Sequence, residues 1–294
     1  MNLLFEPFQL PFMARALAQL VILGALAGTV GVLVLLRRLA FVTDTLTHTV
    51  FPGVVIGYIL AGDGGVFWGA LVAGIATAAL LTLFARRVSE DAALAMLLTT
   101  LFAVGVVLVS RRSGYTSDLT AFLFGRVLTV TEEQLVQTGV VTVLVVALLA
   151  VLRRPLMLRA FDPEGARAAG VRVGLLDLVL NAAIALVVVA AVRAVGTVLV
   201  IALLIVPAAA ARALSDRLVV IVPLACLIGA AGGWFGLAVS YEAAVGHGLR
   251  LASGGTVVLV LVAMYGLAFA AGILRRKRTR ARVSKAVSGE VEPA

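Results

Sequence analysis

Apolar stretches long enough to cross a membrane follow one another along nearly the whole chain, separated by short polar segments. Apolar runs of about 18 or more residues are typical of membrane-spanning helices. The second stretch is short and contains Pro52-Gly53, so eight full helices plus one broken helix is an alternative to nine. The pattern predicts an all-α integral membrane protein of about eight or nine transmembrane helices, one broken at Pro52. The predicted spans are, roughly, 13–36, 42–60, 66–84, 92–109, 135–152, 175–192, 197–213, 219–239 and 256–274.

Composition supports a membrane protein. Of the 294 residues 62% are hydrophobic and 13% are charged, whereas soluble domains carry roughly a quarter charged residues. The first apolar run is too long for a signal-peptide core. Cys226 is the only cysteine, so neither a disulfide nor a thiolate metal cluster can form within one chain.

The net charge of +9 comes from basic residues placed between apolar segments and in the C-terminal tail. That distribution is typical of an orientation signal and not of a nucleic-acid-binding stripe. Because Lys and Arg accumulate on the cytoplasmic side, the predicted orientation is N-terminus outside and C-terminus cytoplasmic. We divide the chain into a transmembrane domain, 1–274, and a basic cytoplasmic tail, 275–294, which we expect to be disordered.

Two of the polar connections between the predicted spans contain sequence patterns that predict short helices or helix caps. In the outer connection, "DLTAFLFGRVL" predicts a short interfacial helix, and "TEEQ" at 131–134 resembles a capping box that opens the next span. In the inner loop 153–174, "FDPEGARAAG" predicts a small helix with Asp162 as N-cap, Pro163 in the first turn and Gly170 as the stop. This small helix is either a contact point for a partner or a capped connector.

Small residues recur at four-residue spacing, as in Gly24/Gly28 and Gly229/Gly233. Such spacing lets membrane helices approach closely. We expect helix packing at these positions and at most a hint of dimerisation.

The chemically informative stretch is "FVTDTLTHTVFPG" at 41–53. Asp44 and His48 are four residues apart, so a helix places both on one face. Ionisable groups at membrane depth usually face a bundle interior or a water-filled path, and carboxylate plus imidazole suits a divalent transition metal. Pro52 cannot donate to the carbonyl of His48, which predicts a bend there. A polar path for a metal ion is one interpretation of this cluster.

The alternative is structural. Asp44 would then be an N-cap or an ion-pair partner of Arg37 or Arg38, and His48 a packing residue. Two ligands also fall short of the four that these metals usually take, so either further donors come from elsewhere or the site is transient. The remaining polar residues favour structural roles: His247 in a loop, and Asp177 with Asn181 in helix packing.

The chain resembles the membrane permeases of metal-ion ABC importers, the zinc/manganese/iron permease family. "RRLAFVTDTLTHTVFPGVVIG" is similar to that family's arginine, Asp-x-Leu-Ser-His and Pro-Gly pattern, with Thr47 where serine is usual. Four later blocks follow in the family's order, and the resemblance covers nearly the whole chain. They are "LTAFLFGRVL", "FDPEGARAAGV", "AVGTVLVIALLIVPAAAARAL" and "SYEAAVGHGLRLASGGTVVLV", the last with a longer loop than the family pattern.

The resemblance implies a bacterial cell-membrane permease that acts as a homodimer among membrane lipids, with two cytoplasmic ATPase subunits and an extracellular or periplasmic metal-binding protein. It places Asp44 and His48, and more weakly Thr47, in the pathway of a divalent zinc, manganese or iron ion that is cargo and not a permanent cofactor. Helix breaks are expected at Pro52, Gly53 and Pro207. The ATPase is expected to contact the loop 153–174, through the residues Asp162, Pro163, Glu164, Ala166 and Gly170.

The sequence indicates that this chain does not itself bind and hydrolyse ATP. A phosphate-binding Walker loop needs a lysine after glycine, and the only lysines, Lys277 and Lys285, lie in the tail. We therefore predict a transport permease and not an enzyme, with ATP hydrolysis on a separate subunit. Three rivals stay open: a proton-coupled secondary transporter, an intramembrane hydrolase using Ser253 and His48, and a sensory or scaffold protein.

Overall fold

A computed structural model describes residues 5–85, 87–110, 125–249 and 251–289, with side chains described up to residue 275. Every regular element in these ranges is helical. Two short 3-10 helices, Glu6–Gln9 and Val127–Thr129, accompany ten α-helices. The α-helices are α1 Pro11–Leu36, α2 Ala40–Thr49, α3 Phe51–Phe84, α4 Glu90–Ser110, α5 Glu132–Val151, α6 Arg153–Phe161, α7 Pro163–Ala168, α8 Val173–Leu214, α9 Leu218–His247 and α10 Ser253–Gly289.

Seven helical stretches of the described chain are long and apolar enough to cross a membrane. Two of them exceed a single crossing: Ala40–Phe84 has 45 residues and Val173–Leu214 has 42. At 1.5 Å per residue they would extend more than about 60 Å, twice the hydrocarbon thickness of a bilayer. Each must therefore fold back on itself.

The first long stretch turns at Ala61 and Gly62, where the backbone is non-helical and Gly62 has a φ of 60°. The two arms then run antiparallel with their backbones in contact. A Cβ atom at Gly57 would overlap the carbonyl oxygen of Gly65, and one at Gly53 would overlap that of Gly69. Only glycine permits this approach, so the arms form a tight helical hairpin.

The second long stretch turns at Gly196, with a φ of 74° and a ψ of 164°. Both of its outer ends lie beside the C-terminal end of α1. Asp177 in the first arm binds Arg37, and Ala211 in the second arm belongs to the same buried cluster as Val32. The two hairpins convert seven stretches into nine crossing segments, which confirms the predicted all-α membrane bundle.

The core lies around α1 and α8, the two most buried long helices. Helix α1 packs along α9, where Gly24 lies against Gly229 and Ala230, and Gly28 lies against Cys226. The predicted close packing of small residues is confirmed. Because these glycines are used inside one chain, they provide no dimerisation surface.

The structure also bears on the predicted connections. Thr131 and Gln134 form the expected capping box, with reciprocal hydrogen bonds of 3.3 and 3.4 Å. Most of the predicted interfacial helix falls within 111–124, outside the described residues. Helix α10 continues to Gly289, where the sequence predicted a disordered tail from residue 275.

Candidate functional site

Asp44 and His48 lie one turn apart on α2, with 3.7 Å between Oδ1 of Asp44 and Nε2 of His48. Their side chains are 42% and 25% exposed on the surface of the single chain. With Phe41 they form an open stripe at helical spacing, while the intervening residues from Val42 to Thr49 are buried. The predicted pairing of the two groups on one helix face is confirmed.

The stripe lies in the first part of a stretch that is long and apolar enough to cross a membrane. Counted from Ala40 at 1.5 Å per residue, Asp44 is about 6 Å and His48 about 12 Å along a crossing segment of roughly 30 Å. Phe41 of the same stripe is 74% exposed, and Phe102 contacts His48. The two polar groups are thus flanked by apolar side chains.

Phe102 of α4 covers one side of the imidazole. Its ring meets that of His48 edge to face, with centroids 5.4 Å apart, and also packs against Phe51. The Nδ1 atom of His48 is buried and has no hydrogen-bond partner among the described residues. In this arrangement the Nε2 atom of His48 is the ring nitrogen that lies near Asp44.

The threonines of this stretch do not join the stripe. Thr47 is fully buried, and its hydroxyl donates to the carbonyl of Asp44 at 2.6 Å. Thr43 and Thr49 are buried as well and donate to carbonyls of their own helix. In this structure the Thr47 hydroxyl stabilises the helix backbone, and the weaker place given to Thr47 in the metal pathway stays a prediction.

The backbone interruptions differ in part from those predicted. Helix α2 ends at Thr49 and α3 begins at Phe51, so the helix is interrupted beside Pro52 as expected. Gly53, however, is helical and serves close packing against Gly69. Pro207 lies inside a continuous helix, and the break in α8 is at Gly196. Glycine with positive φ, and not proline, makes the sharpest turns here.

Arg37 does not pair with Asp44. Its Nη2 atom lies 2.6 Å from Oδ1 of Asp177, and Nη2 of Arg159 lies 3.2 Å from Oδ2 of the same carboxylate. Four residues further along α8, Asn181 donates to Thr82 at 3.2 Å. Asp177 and Asn181 therefore serve helix packing, as predicted, but the two arginines that meet at Asp177 were not foreseen.

The predicted small helix of the inner loop forms as α7. Asp162 caps it by accepting from the Gly165 amide at 2.8 Å, Pro163 is its first residue, and Gly170 follows with a φ of 76°. Ala166 is fully buried, whereas Glu164 is exposed. One side of α7 is thereby anchored to the bundle and the other is presented outward.

The chemistry of the stripe fits a divalent cation. A metal bound at roughly 2.0–2.2 Å from each ligand spans two donor atoms about 3–4 Å apart, and the observed separation is 3.7 Å. No cluster of three or more His, Cys, Asp or Glu side chains occurs in the described part of the chain. One chain offers half of an ordinary ligand set.

The pair of Ser253 and His48 that the rival hydrolase would need is not assembled. Ser253 begins α10, and its hydroxyl is 3.1 Å from that of Ser240. His48 faces Asp44 and Phe102 on a different helix. His247 ends α9 as an exposed residue, in keeping with the structural role expected for it.

Comparison with known proteins identifies the family of this chain. Residues 9–272 match the model of the ABC 3 transport family. A manganese transport system membrane protein of Halalkalibacterium halodurans is 35% identical over 88% of this chain and 86% of its own. A manganese import system permease protein of Streptococcus parasanguinis is 32% identical over 93% of this chain and 95% of its own.

A similar solved structure is PsaBC from Streptococcus pneumoniae in complex with Fab. It has a TM-score of 0.79 and 28% identity, covering 90% of this chain and 94% of that one. These relatives are named as transport proteins and not as enzymes. The chain belongs to the ABC 3 transport family and is a membrane permease of the kind expected from its sequence.

Proposed function

We propose that this chain is the membrane permease of a bacterial ABC importer for a divalent transition-metal ion, with manganese as the first candidate. The ion passes along the face of α2 that carries Asp44 and His48. The observation that carries the proposal is the 3.7 Å separation of these two ligand atoms on an otherwise apolar open stripe.

The stripe formed by Phe41, Asp44 and His48 must be shielded from lipid. A carboxylate facing lipid is costly, and the neighbouring residue of the stripe, Phe41, is apolar and 74% exposed. A second copy of the chain packed on this face would shield Asp44 from lipid while leaving it open to a narrow path. The permease is therefore proposed to work as a homodimer.

Two copies also complete the ligand set. Two carboxylates and two neutral imidazoles supply four donors, the number at which these metals are commonly held. The two negative charges balance one divalent cation, so the ion crosses the apolar region without a net charge. No third His, Cys, Asp or Glu of the described chain joins the pair, and a site of few ligands suits the brief binding that transport requires.

The donor type fits manganese, iron and zinc alike, because oxygen and imidazole ligands serve all three. The names of the two curated relatives refer to manganese. We infer manganese as the preferred cargo of this chain on that likeness.

The energy is proposed to come from two separate ATPase subunits that contact α7 through its outward side, which includes Asp162, Pro163, Glu164 and Gly170. An outer metal-binding protein would deliver the ion to the opposite end. In this arrangement the N-terminus is outside the cell and the C-terminus is cytoplasmic. The nine crossing segments agree with ends on opposite sides.

The test is uptake of radioactive Mn²⁺ into vesicles that contain the permease, its ATPase and the metal-binding protein. We expect uptake that requires internal hydrolysable ATP, persists when an ionophore abolishes the proton gradient, and exceeds uptake of Zn²⁺. Vesicles with ATP replaced by a non-hydrolysable analogue are the control. Uptake by the permease alone, driven by a proton gradient, would instead establish the secondary transporter.

A further inference from the structure

The Asp177 carboxylate joins three parts of the chain. One oxygen lies 2.6 Å from Arg37 and the other 3.2 Å from Arg159. The side chains of Arg37, Arg159 and Asp177 are 11%, 20% and 26% exposed. Since both carboxylate oxygens are used and the cluster is largely shielded from water, the contact is stronger than a surface ion pair.

Each arginine is attached to a functional element. Arg37 follows the last residue of α1 and lies three residues before the start of α2, which carries Asp44 and His48. Arg38 between them has a φ of 58°, the one positive φ of a non-glycine residue in the described ranges. Such a conformation persists only where its surroundings hold it. Binding of Arg37 therefore fixes the entry of the metal-pathway helix.

Arg159 binds the other oxygen of the Asp177 carboxylate. It lies in the last turn of α6, three residues before Asp162, the cap of α7. Leu156 of α6 is buried in the core, so this helix is tethered to the bundle as well. Arg159 and Asp162 are about one helical turn apart. A displacement of α7 would therefore be transmitted directly to the ion pairs at Asp177.

Charge makes Asp177 the critical member. Two guanidinium groups share one carboxylate, and Nη1 of Arg37 and Nε of Arg159 are buried with no hydrogen-bond partner in the described chain. Without the carboxylate, two like charges would face each other in a shielded position. Helix α6, which carries Arg159, and the segment that carries Arg37 would then move apart.

We propose that Asp177 is a positioning residue that transmits movement of α7 to α2, and thereby links ATP hydrolysis to passage of the metal. This inference rests on the proposed function. The path runs from the capped helix α7 through Arg159, the Asp177 carboxylate and Arg37 to the helix of the ion ligands. Asp177 itself touches neither the ion nor the ATPase.

The test compares metal transported per ATP hydrolysed in vesicles containing the complete transporter. Asp177→Asn keeps the shape and removes the charge, and Arg159→Gln breaks one arm only. Both are expected to retain ATP hydrolysis while the transport ratio falls roughly fivefold or more, the size of a typical coupling between sites. Asp177→Glu should restore most of the ratio. Arg217→Gln, a change of an exposed arginine before α9 and outside the loop 153–174, is the control and should leave the ratio unaltered.

Two results would overturn the inference. One is an unchanged ratio in both Asp177→Asn and Arg159→Gln. The other is a parallel fall of hydrolysis and uptake, which would mean that the cluster only supports folding. If Asp177→Asn fails to fold, Arg159→Gln decides by the same criteria. A wild-type transporter without ATP-driven uptake would refute the proposed function and this inference together, whereas active wild type beside unaffected variants refutes the inference alone.

Discussion

Nε2 of His48 lies 3.7 Å from Oδ1 of Asp44, while the guanidinium of Arg37 binds Asp177. The alternative in which Asp44 neutralises Arg37 is thereby excluded for this structure. The Asp44 carboxylate lies instead beside His48 on the open face of α2. A carboxylate beside an imidazole is a suitable half-site for a divalent cation.

If two chains share the site as proposed, one metal ion is expected per two chains, because one chain supplies two ligands and two chains supply four. Mn²⁺ bound to the purified permease, counted by electron paramagnetic resonance against protein concentration, should approach one ion per two chains. Asp44→Asn should lower the affinity by roughly tenfold or more, since it removes a charged ligand. One ion per chain, or unaltered binding by Asp44→Asn, would argue against the shared site.

Phe102→Ala is expected to impair uptake without removing a ligand. The ring covers one side of the His48 imidazole, and its loss frees that imidazole to rotate away from Asp44. Because Phe102 is only half-buried, the free energy of unfolding should fall by about 2 kcal/mol, less than for a fully buried ring. Thermal unfolding and Mn²⁺ uptake measure the two effects. Phe102→Leu retains bulk and should preserve most uptake; full uptake by Phe102→Ala would contradict the role of the ring.

Gly57→Ala is expected to destabilise the first hairpin. Its Cβ would overlap the carbonyl oxygen of Gly65, and backbone on both sides leaves little room to adjust. Overpacking of this kind costs about 1–3 kcal/mol, measurable as a lower thermal unfolding midpoint in detergent. Gly139→Ala is the matched control, because its Cβ would meet no neighbour. Equal behaviour of the two variants would show that the arms are not in close contact.

Asp162→Ala is expected to weaken association with the ATPase. The side chain accepts from the Gly165 amide and fixes the start of α7, and loss of an N-cap costs about 1 kcal/mol. Fraying of so short a helix would disorder the surface offered to the partner. Binding of the purified ATPase to permease in nanodiscs measures the effect. Asp162→Ser keeps a capping oxygen and should bind nearly as well as wild type, and equal affinity of Asp162→Ala would contradict the assignment of α7.

Much of this structure follows from local sequence patterns. The nine spans were predictable because each is a continuous apolar run, and both hairpin turns fall between predicted spans. The caps at Thr131 and Asp162 were predictable because a cap depends on residues three positions apart. The Asp44–His48 stripe depends only on helical periodicity.

Contacts between distant parts of the chain were not predictable in this way. Arg37 and Asp177 are 140 residues apart, and a single sequence offers several arginines as partners for that carboxylate. The burial of Thr47 depends on the orientation of α2 about its axis relative to the neighbouring helices. Helical periodicity in the sequence does not determine that orientation. At Pro207 the neighbouring helices hold the segment helical, although proline removes one hydrogen bond.

The most direct measurement is ATP-driven Mn²⁺ uptake by the complete transporter carrying Asp44→Ala and His48→Ala together. The control is Glu242→Ala with His247→Ala, which removes an acid and the other histidine from α9. We expect the first pair to reduce uptake to background, with ATPase assembly intact, and the second pair to transport as wild type does. Undiminished uptake by the Asp44→Ala, His48→Ala protein would contradict the proposed metal pathway.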